Sequence, residues 1–201
     1  MKYKILTKSK KFYWTVNSKI YTIIALAGLP VFIKFNLFNN QVATFVDDLL
    51  MILMLTAFLF GIIVGITKFN KYRTLKGDLI SDLEFQKHKV IVGDKEYLLD
   101  EIQKIEINAF DFKGAIKTYK GNFDGNLSNG VDNLLKLYLT NQNKIELNFQ
   151  QIIKNEIRNE KEILINYCNL NKLHYLNLLE ILDINDYDEI QRFKIEKLTN
   201  Q

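Results

Sequence analysis

The chain has 201 residues, a net charge of +4, 48% hydrophobic and 12% aromatic residues, and a single cysteine. One cysteine excludes an internal disulfide framework and fits a reducing compartment. The basic balance is uneven: residues 1 to 74 carry ten bases and two acids (net +8), whereas residues 75 to 201 carry seventeen bases and twenty-one acids (net −4). That split excludes bulk electrostatics as a basis for nucleic-acid binding by the C-terminal part.

Lys2, Lys4, Lys8, Lys10, Lys11 and Lys19 precede the first apolar stretch without an intervening acid, and Phe12 to Trp14 add aromatic residues. This leader reads as a topology signal with an interfacial aromatic belt. The stretch from Ile20 to Phe38 is interrupted by Pro30 and Lys34; proline is tolerated in membrane helices and a terminal lysine can snorkel to the headgroups. The stretch from Leu49 to Thr67 runs nineteen residues without a charge, about the length that crosses the roughly 30 Å hydrocarbon core at 1.5 Å per residue. Together they predict a transmembrane helical hairpin over residues 1–74, with spans at about 20–38 and 49–67. Lys68, Lys71, Arg73 and Lys76 follow the second span, so the positive-inside tendency places both termini in the cytoplasm and the short loop outside. A cleaved signal peptide is disfavoured, because KFNLFNN after the first stretch offers no small-residue cleavage site.

Within the second span Gly61 and Gly65 form G-x-x-x-G, a spacing that lets helix backbones approach closely. The partner surface is either Ala25, Ala27 and Gly28 of the first span or another copy of the chain. In an oligomer, Asp47 and Asp48 would ring the outer mouth of a pore and Thr56 would be its main polar group.

Residues 75–201 read as strands first and helices afterwards. LISDLEF, KVIV and KEYLL are short alternating runs, the last two joined by a turn at Gly93-Asp94. In DEIQKIEINAF, Ile102, Ile105 and Ile107 fall on one face. Leu135, Leu137 and Leu139 alternate, Asn141 to Asn143 turn the chain, and Ile145, Leu147 and Phe149 alternate again, which predicts a hairpin. Beyond Gln151 the period becomes helical: Ile153, Ile157, Leu164 and Cys168 share one face, residues 169–172 break it, leucines recur at 173, 176, 179 and 182, and Asp186 with Glu189 opens a last helix. The fold expected is an α+β membrane protein, with a cytoplasmic antiparallel β-rich domain ending in helices.

The run Leu83 to Ile107, LEFQKHKVIVGDKEYLLDEIQKIEI, resembles the opening strands of bacterial pleckstrin-homology-like domains, and the hairpin and amphipathic helix after it are similar to the rest of that barrel. The layout also resembles the membrane effectors of bacterial cyclic-nucleotide antiphage systems, in which two membrane helices carry a small β-barrel. The helices after Asn169 depart from both patterns. What the resemblance implies is a protein of the bacterial cytoplasmic membrane, active in defence signalling: a soluble domain senses an anionic nucleotide or oligonucleotide and controls an oligomeric transmembrane pore. The alternative is a pleckstrin-homology-like adaptor or immunity protein that uses the hairpin as an anchor and binds a protein partner.

Chemistry is sparse. His88 and His174 have no partner at metal-ligand spacing, and no Walker loop, G-x-S-x-G or G-x-G-x-x-G occurs. The expectation is therefore a non-enzymatic protein with no cofactor or metal. The exception is the loop from Tyr119 to Asn133, where glycines and asparagines interleave with aromatic and hydroxyl residues. Backbone N–H groups and an aromatic face there suit a base and a phosphate. Lys113, Lys117, Tyr119, Lys120, Phe123, Asn126, Ser128 and Asn129 are the candidate ligand-binding residues; a plain hairpin connection is the competing reading.

Overall fold

A computed structural model describes residues 1–9, 14–37, 44–118 and 123–199. The chain divides into two compact units, one formed by Met1–Ser9, Leu75–Ala115 and Ser128–Gln201, the other by Lys10–Thr74 and Ile116–Leu127. This differs from a single cut at residue 74 in two places. Met1–Ser9 of the leader joins the β unit, and Ile116–Leu127 joins the helical unit.

The β unit is built on a seven-stranded antiparallel sheet. Its strands are β1 (Lys2–Lys8), β2 (Gly77–Gln86), β3 (Lys89–Val92), β4 (Lys95–Leu98), β5 (Ile102–Asn108), β8 (Asn133–Leu139) and β9 (Lys144–Phe149), in the order β4-β3-β2-β1-β9-β8-β5. Two further strands, β6 (Lys113–Ile116) and β7 (Leu127–Asn129), form a separate two-stranded sheet. The hairpins expected from alternation are present, with Val92 facing Lys95 across the Gly93 turn and Leu137 facing Ile145 across the Asn141 turn. Ile105, Ile107, Leu135, Leu137 and Phe149 are all buried, as period-two spacing requires, and a register shift between Ile102 and Lys104 brings Ile102 to the same core.

Lys2–Lys8 of the lysine-rich leader is a central strand. β1 pairs along its whole length with β2, from Lys2 with Glu84 to Lys8 with Gly77, and through Ile5 and Leu6 with β9. Tyr3 and Ile5 point into the core while Lys2 and Lys4 remain exposed. The Tyr3 ring meets Phe85 at 6.0 Å and Phe149 at 5.6 Å, both edge-on. Burial raises the Tyr3 phenol pKa well above its ordinary value. Because Lys8 pairs with Gly77, residues 10–74 are an insertion that leaves and re-enters the sheet at one end of the β1–β2 ladder.

Among the described residues the sheet's order begins at β4 and ends at β5. The β5 edge is covered by other means. The Ile105 N–H donates to the Lys172 carbonyl at 2.7 Å, and the Asn177 side chain accepts from the Ile107 N–H (3.0 Å) and donates to its carbonyl (2.7 Å). One amide side chain thus stands in for a neighbouring strand.

Three helices complete this unit: α3 (Lys161–Asn169), α4 (Tyr175–Leu182) and α5 (Tyr187–Thr199). The helix expected from Ile153 starts later. Ile153 is exposed, a 3-10 turn runs from Glu156 to Glu160, and Glu160 is buried. The Ile152 N–H and Ile153 N–H both donate to the Glu156 carboxylate, which holds the chain in a turn before the helix begins. Leu173, Leu179 and Leu182 are buried as expected, but Leu176 is exposed; Leu178 and Ile181 take the remaining core positions. Asp186 caps α5 through the N–H groups of Asp188 and Glu189.

The helical unit contains α1 (Val16–Leu37) and α2 (Thr44–Thr67). The Thr15 hydroxyl accepts from the Ser18 N–H at 3.2 Å and caps α1, which continues through Pro30. Among the described residues one helix, Asp47–Asn70, is long and apolar enough to cross a membrane, and none of its apolar window is buried inside the molecule.

Candidate functional site

A polar network in the β unit ties the end of the candidate ligand loop, Ser128 to Asn133, to Asp111 and Gln151. The Gln151 amide nitrogen donates to the carbonyls of Ala109 (2.9 Å) and Asp111 (3.0 Å) and to Asn133 Oδ1 (3.1 Å), while its oxygen accepts from the Ile157 N–H. Asn133 donates to the carbonyls of Gly130 and Phe149 and accepts from the Asp111 N–H. Ser128 Oγ donates to Asp111 Oδ2 at 2.6 Å. Asp111, Ser128, Asn133 and Gln151 are all buried, so these bonds replace hydration that the fold removes. Gly130, at φ 73°, lies against the Gln151 carbonyl where a Cβ would collide.

From that base the chain departs as a strap, Ile116–Leu127, which belongs to the helical unit. It is seated on the segment that follows α2. The Asn126 N–H donates to the Lys68 carbonyl (3.0 Å) and the Leu127 N–H to the Lys71 carbonyl (3.0 Å). Arg73 returns two bonds, from its N–H to the Leu127 carbonyl (2.9 Å) and from Nη2 to the Lys117 carbonyl (2.6 Å). The Thr74 N–H and hydroxyl both donate to the Asp124 carboxylate. Gly125 is buried where a Cβ would fall on the carbonyl oxygens of Lys71 and Tyr72, so only glycine permits this seat.

The strap also reaches α1. The Phe123 N–H donates to Asn17 Oδ1 at 2.6 Å, and the Phe123 ring meets Tyr21 edge-on at 6.0 Å. Phe123 further lines an apolar cleft of about 510 Å³ between α1 and α2, shared with Ala27, Gly28, Met54, Ala57 and Gly61. One short segment therefore holds the start of α1 and the end of α2 together.

The residues expected to bind a ligand divide accordingly. Lys113, Ser128 and Asn129 belong to the β unit and Lys117, Phe123 and Asn126 to the helical unit, while Tyr119 and Lys120 lie outside the described residues. Ser128 is committed to Asp111 and the Gly130 N–H, and the Asn129 carbonyl to Gln150. Asn126 is buried.

In the helical unit, Gly61 lines the cleft opposite Gly28, but a Cβ built on Gly28, Gly61 or Gly65 meets nothing within 4 Å. The glycines are not the seat of close packing between α1 and α2. Asp47 sits in the first turn of α2 and Asp48 is exposed beside it, at the helix end where the dipole favours negative charge. The Thr56 hydroxyl is already bonded to the Leu53 carbonyl at 2.9 Å.

Two cavities in the β unit, of about 630 and 400 Å³, share Lys104 and His174 along β5. Lys104 is 2.7 Å from Glu106, and Tyr138 donates to the same carboxylate. These bonds, the Lys104 one above all, hold the Glu106 pKa below its ordinary range. Lys172 Nζ donates to the Ile102 carbonyl and His174 Nδ1 accepts from the Leu176 N–H, so the polar groups here serve the sheet edge and a helix cap. No cluster of three metal-ligating side chains occurs among the described residues.

No family model matches the chain, and neither does any curated protein or solved structure.

Proposed function

We propose that the protein is a membrane-anchored sensor or effector in which the strap carries the state of the β unit to the helical pair. The observation that carries this is the strap itself: a loop emitted by the β unit that binds Asn17 and Tyr21 at the start of α1 and residues 68–74 after α2. In this reading both helices cross the bilayer, with the termini in the cytoplasm and the connection between the helices outside. The wholly unburied apolar window of α2 supports insertion, since a soluble fold exposes no such surface without cost. The input is an anionic, nucleotide-like ligand or a partner, and the output is repacking of the helices within an oligomer, including a membrane pore in a defence response.

The test has two stages. Single cysteines at Asn40 and Lys2, in a Cys168→Ala background, are labelled in cells with an impermeant maleimide; the hairpin topology requires labelling of Asn40→Cys from outside and protection of Lys2→Cys. Crosslinking between Ala27→Cys and Ala57→Cys then reports the helical pair. Coupling requires that Phe123→Ala change the rate of that crosslink. An unchanged rate would reduce the strap to a static clasp and leave the anchor reading.

That second reading has its own support. β4 ends the sheet with a strand on one side only, and Leu98 on it is half exposed. An open edge of this kind accepts an added strand from a protein partner. Loss of partner binding on Tyr97→Pro, with the fold retained, would favour the adaptor.

A further inference from the structure

We infer that the cleft between α1 and α2 is a binding site for a lipid alkyl chain, with Phe123 as the wall through which the strap senses it. The inference rests on the membrane reading above, but concerns a site that reading does not need.

Every side chain lining the cleft is apolar, and its volume of about 510 Å³ lies within the range of single-ligand sites. Water gains nothing there, because it would find no polar partners. The void arises because small residues face each other, Ala27 and Gly28 on α1 and Ala57 and Gly61 on α2. At both glycines a Cβ would meet open space, so neither helix fills the gap from its own side. Met54 and Ile62 mark its extent on α2, eight residues or about 12 Å at 1.5 Å per residue, close to the hydrocarbon depth of one leaflet at about half of 30 Å. The site therefore has the length and polarity of an alkyl chain, and volume enough to admit one. A second protein helix would cover the mouth of such a slot without filling its depth, since helix axes pack about 8–10 Å apart.

Phe123 gives the site a consequence. Its ring lines the cleft, its N–H is bonded to Asn17, and its neighbour Asp124 holds Thr74. A chain in the cleft packs against the same ring that closes the strap on α1. Occupancy and strap closure are thereby coupled, and lipids of different chain length or unsaturation would shift the strap.

The test uses the full-length protein in phosphatidylcholine vesicles containing a phospholipid with a diazirine in its acyl chain. Illumination should give adducts on Ala57 and Gly61 as well as on the exposed residues Ile63 and Ile66. Gly61→Leu places a four-carbon side chain in the slot, so adducts at Ala57 should fall about tenfold while those at Ile66 persist. Gly28→Leu, from the opposite wall, should do the same and guards against a fold defect in one variant. Adducts at Ile63 and Ile66 with none at Ala57 would overturn the site and leave the membrane reading standing. A disulfide between two copies of Gly61→Cys, with Ala57 shielded from lipid, would assign the cleft to a second subunit and overturn the proposal. No adducts anywhere would overturn the membrane reading itself.

Discussion

The two units use apolar residues in opposite ways. In the β unit, Tyr3, Phe85, Ile105, Leu137, Phe149 and Leu178 are buried to within a few per cent of completely. In the helical unit, Ile20 and Ala27 are the buried hydrophobic residues among those described, and none of the apolar window of α2 is buried. The first pattern is stabilised by removing side chains from water. Among the described residues the second contributes none to the core cluster, and backbone hydrogen bonds within each helix and the bonds of the strap are what hold it. A lesion in the core and a lesion in the strap should therefore separate cleanly.

The largest separation is expected at β1. Tyr3→Ala removes a buried ring that touches Phe85 and Phe149 and should cost about 3–5 kcal/mol. Hydrogen exchange should quicken across β2 and β9, both paired with β1, while the α2 amides stay protected. If the leader were only a topology signal, Tyr3→Ala would leave β2 and β9 unchanged.

Gln151→Leu comes next. It strips the partners of the Ala109 and Asp111 carbonyls and of the Ile157 N–H, and unsatisfied buried groups cost about 1–3 kcal/mol each. Thermal unfolding of the β unit should move down by several degrees. An unchanged transition would show that the network is not a stabilising base for the strap.

Gly125→Ala probes the helical unit. A Cβ there collides with the Lys71 and Tyr72 carbonyls, and such overpacking costs about 1–3 kcal/mol. The expected result is faster exchange at Asn126, Leu127 and Arg73 with the β core unaffected. Loss of protection throughout β8 and β9 instead would erase the distinction between the units.

How far the sequence reveals all this depends on distance along the chain. β2 to β5 and β8 to β9 are legible because each strand pairs with a neighbour through a short turn, or shows period two in a long run. β1 carries the same alternation, with Tyr3 and Ile5 inward and Lys2 and Lys4 outward, but its partners start about 70 and 140 residues away and a run of lysines beside a membrane span has a simpler explanation. The strap is less legible still. Glycine and asparagine mark residues 119–133 as irregular, yet nothing local says that Gly125 is there to let a carbonyl approach or that Phe123 belongs with Tyr21. The lysines of the loop suggest a ligand, whereas the bond made by Lys117 to Arg73 uses its backbone carbonyl.

The smallest effect expected is electrostatic and confined to the β unit. Asp183, in the left-handed conformation that ends α4 at φ 57°, lies 2.7 Å from Arg158. The hydrogen bond from Arg158, aided by its charge, holds the Asp183 pKa below its ordinary value. A depressed folded pKa means that the pair contributes stability above the unfolded aspartate pKa of about 3.9. That contribution is lost as pH falls through the folded value. Asp183 is exposed, so the contribution is that of a surface pair, small and weakened by salt. In an NMR titration its carboxyl carbon should move at lower pH than a free aspartate, and Arg158→Gln should return it to the ordinary range while raising the acid-unfolding midpoint of the β unit slightly. High salt should shrink the difference between wild type and Arg158→Gln. A wild-type Asp183 that titrates like a free aspartate would remove this pair from the forces holding α4 to the turn before α3. Acid unfolding would then have to start at the charges on β5, β8 and β9, where Glu106 and Glu146 are likewise held low by their lysines.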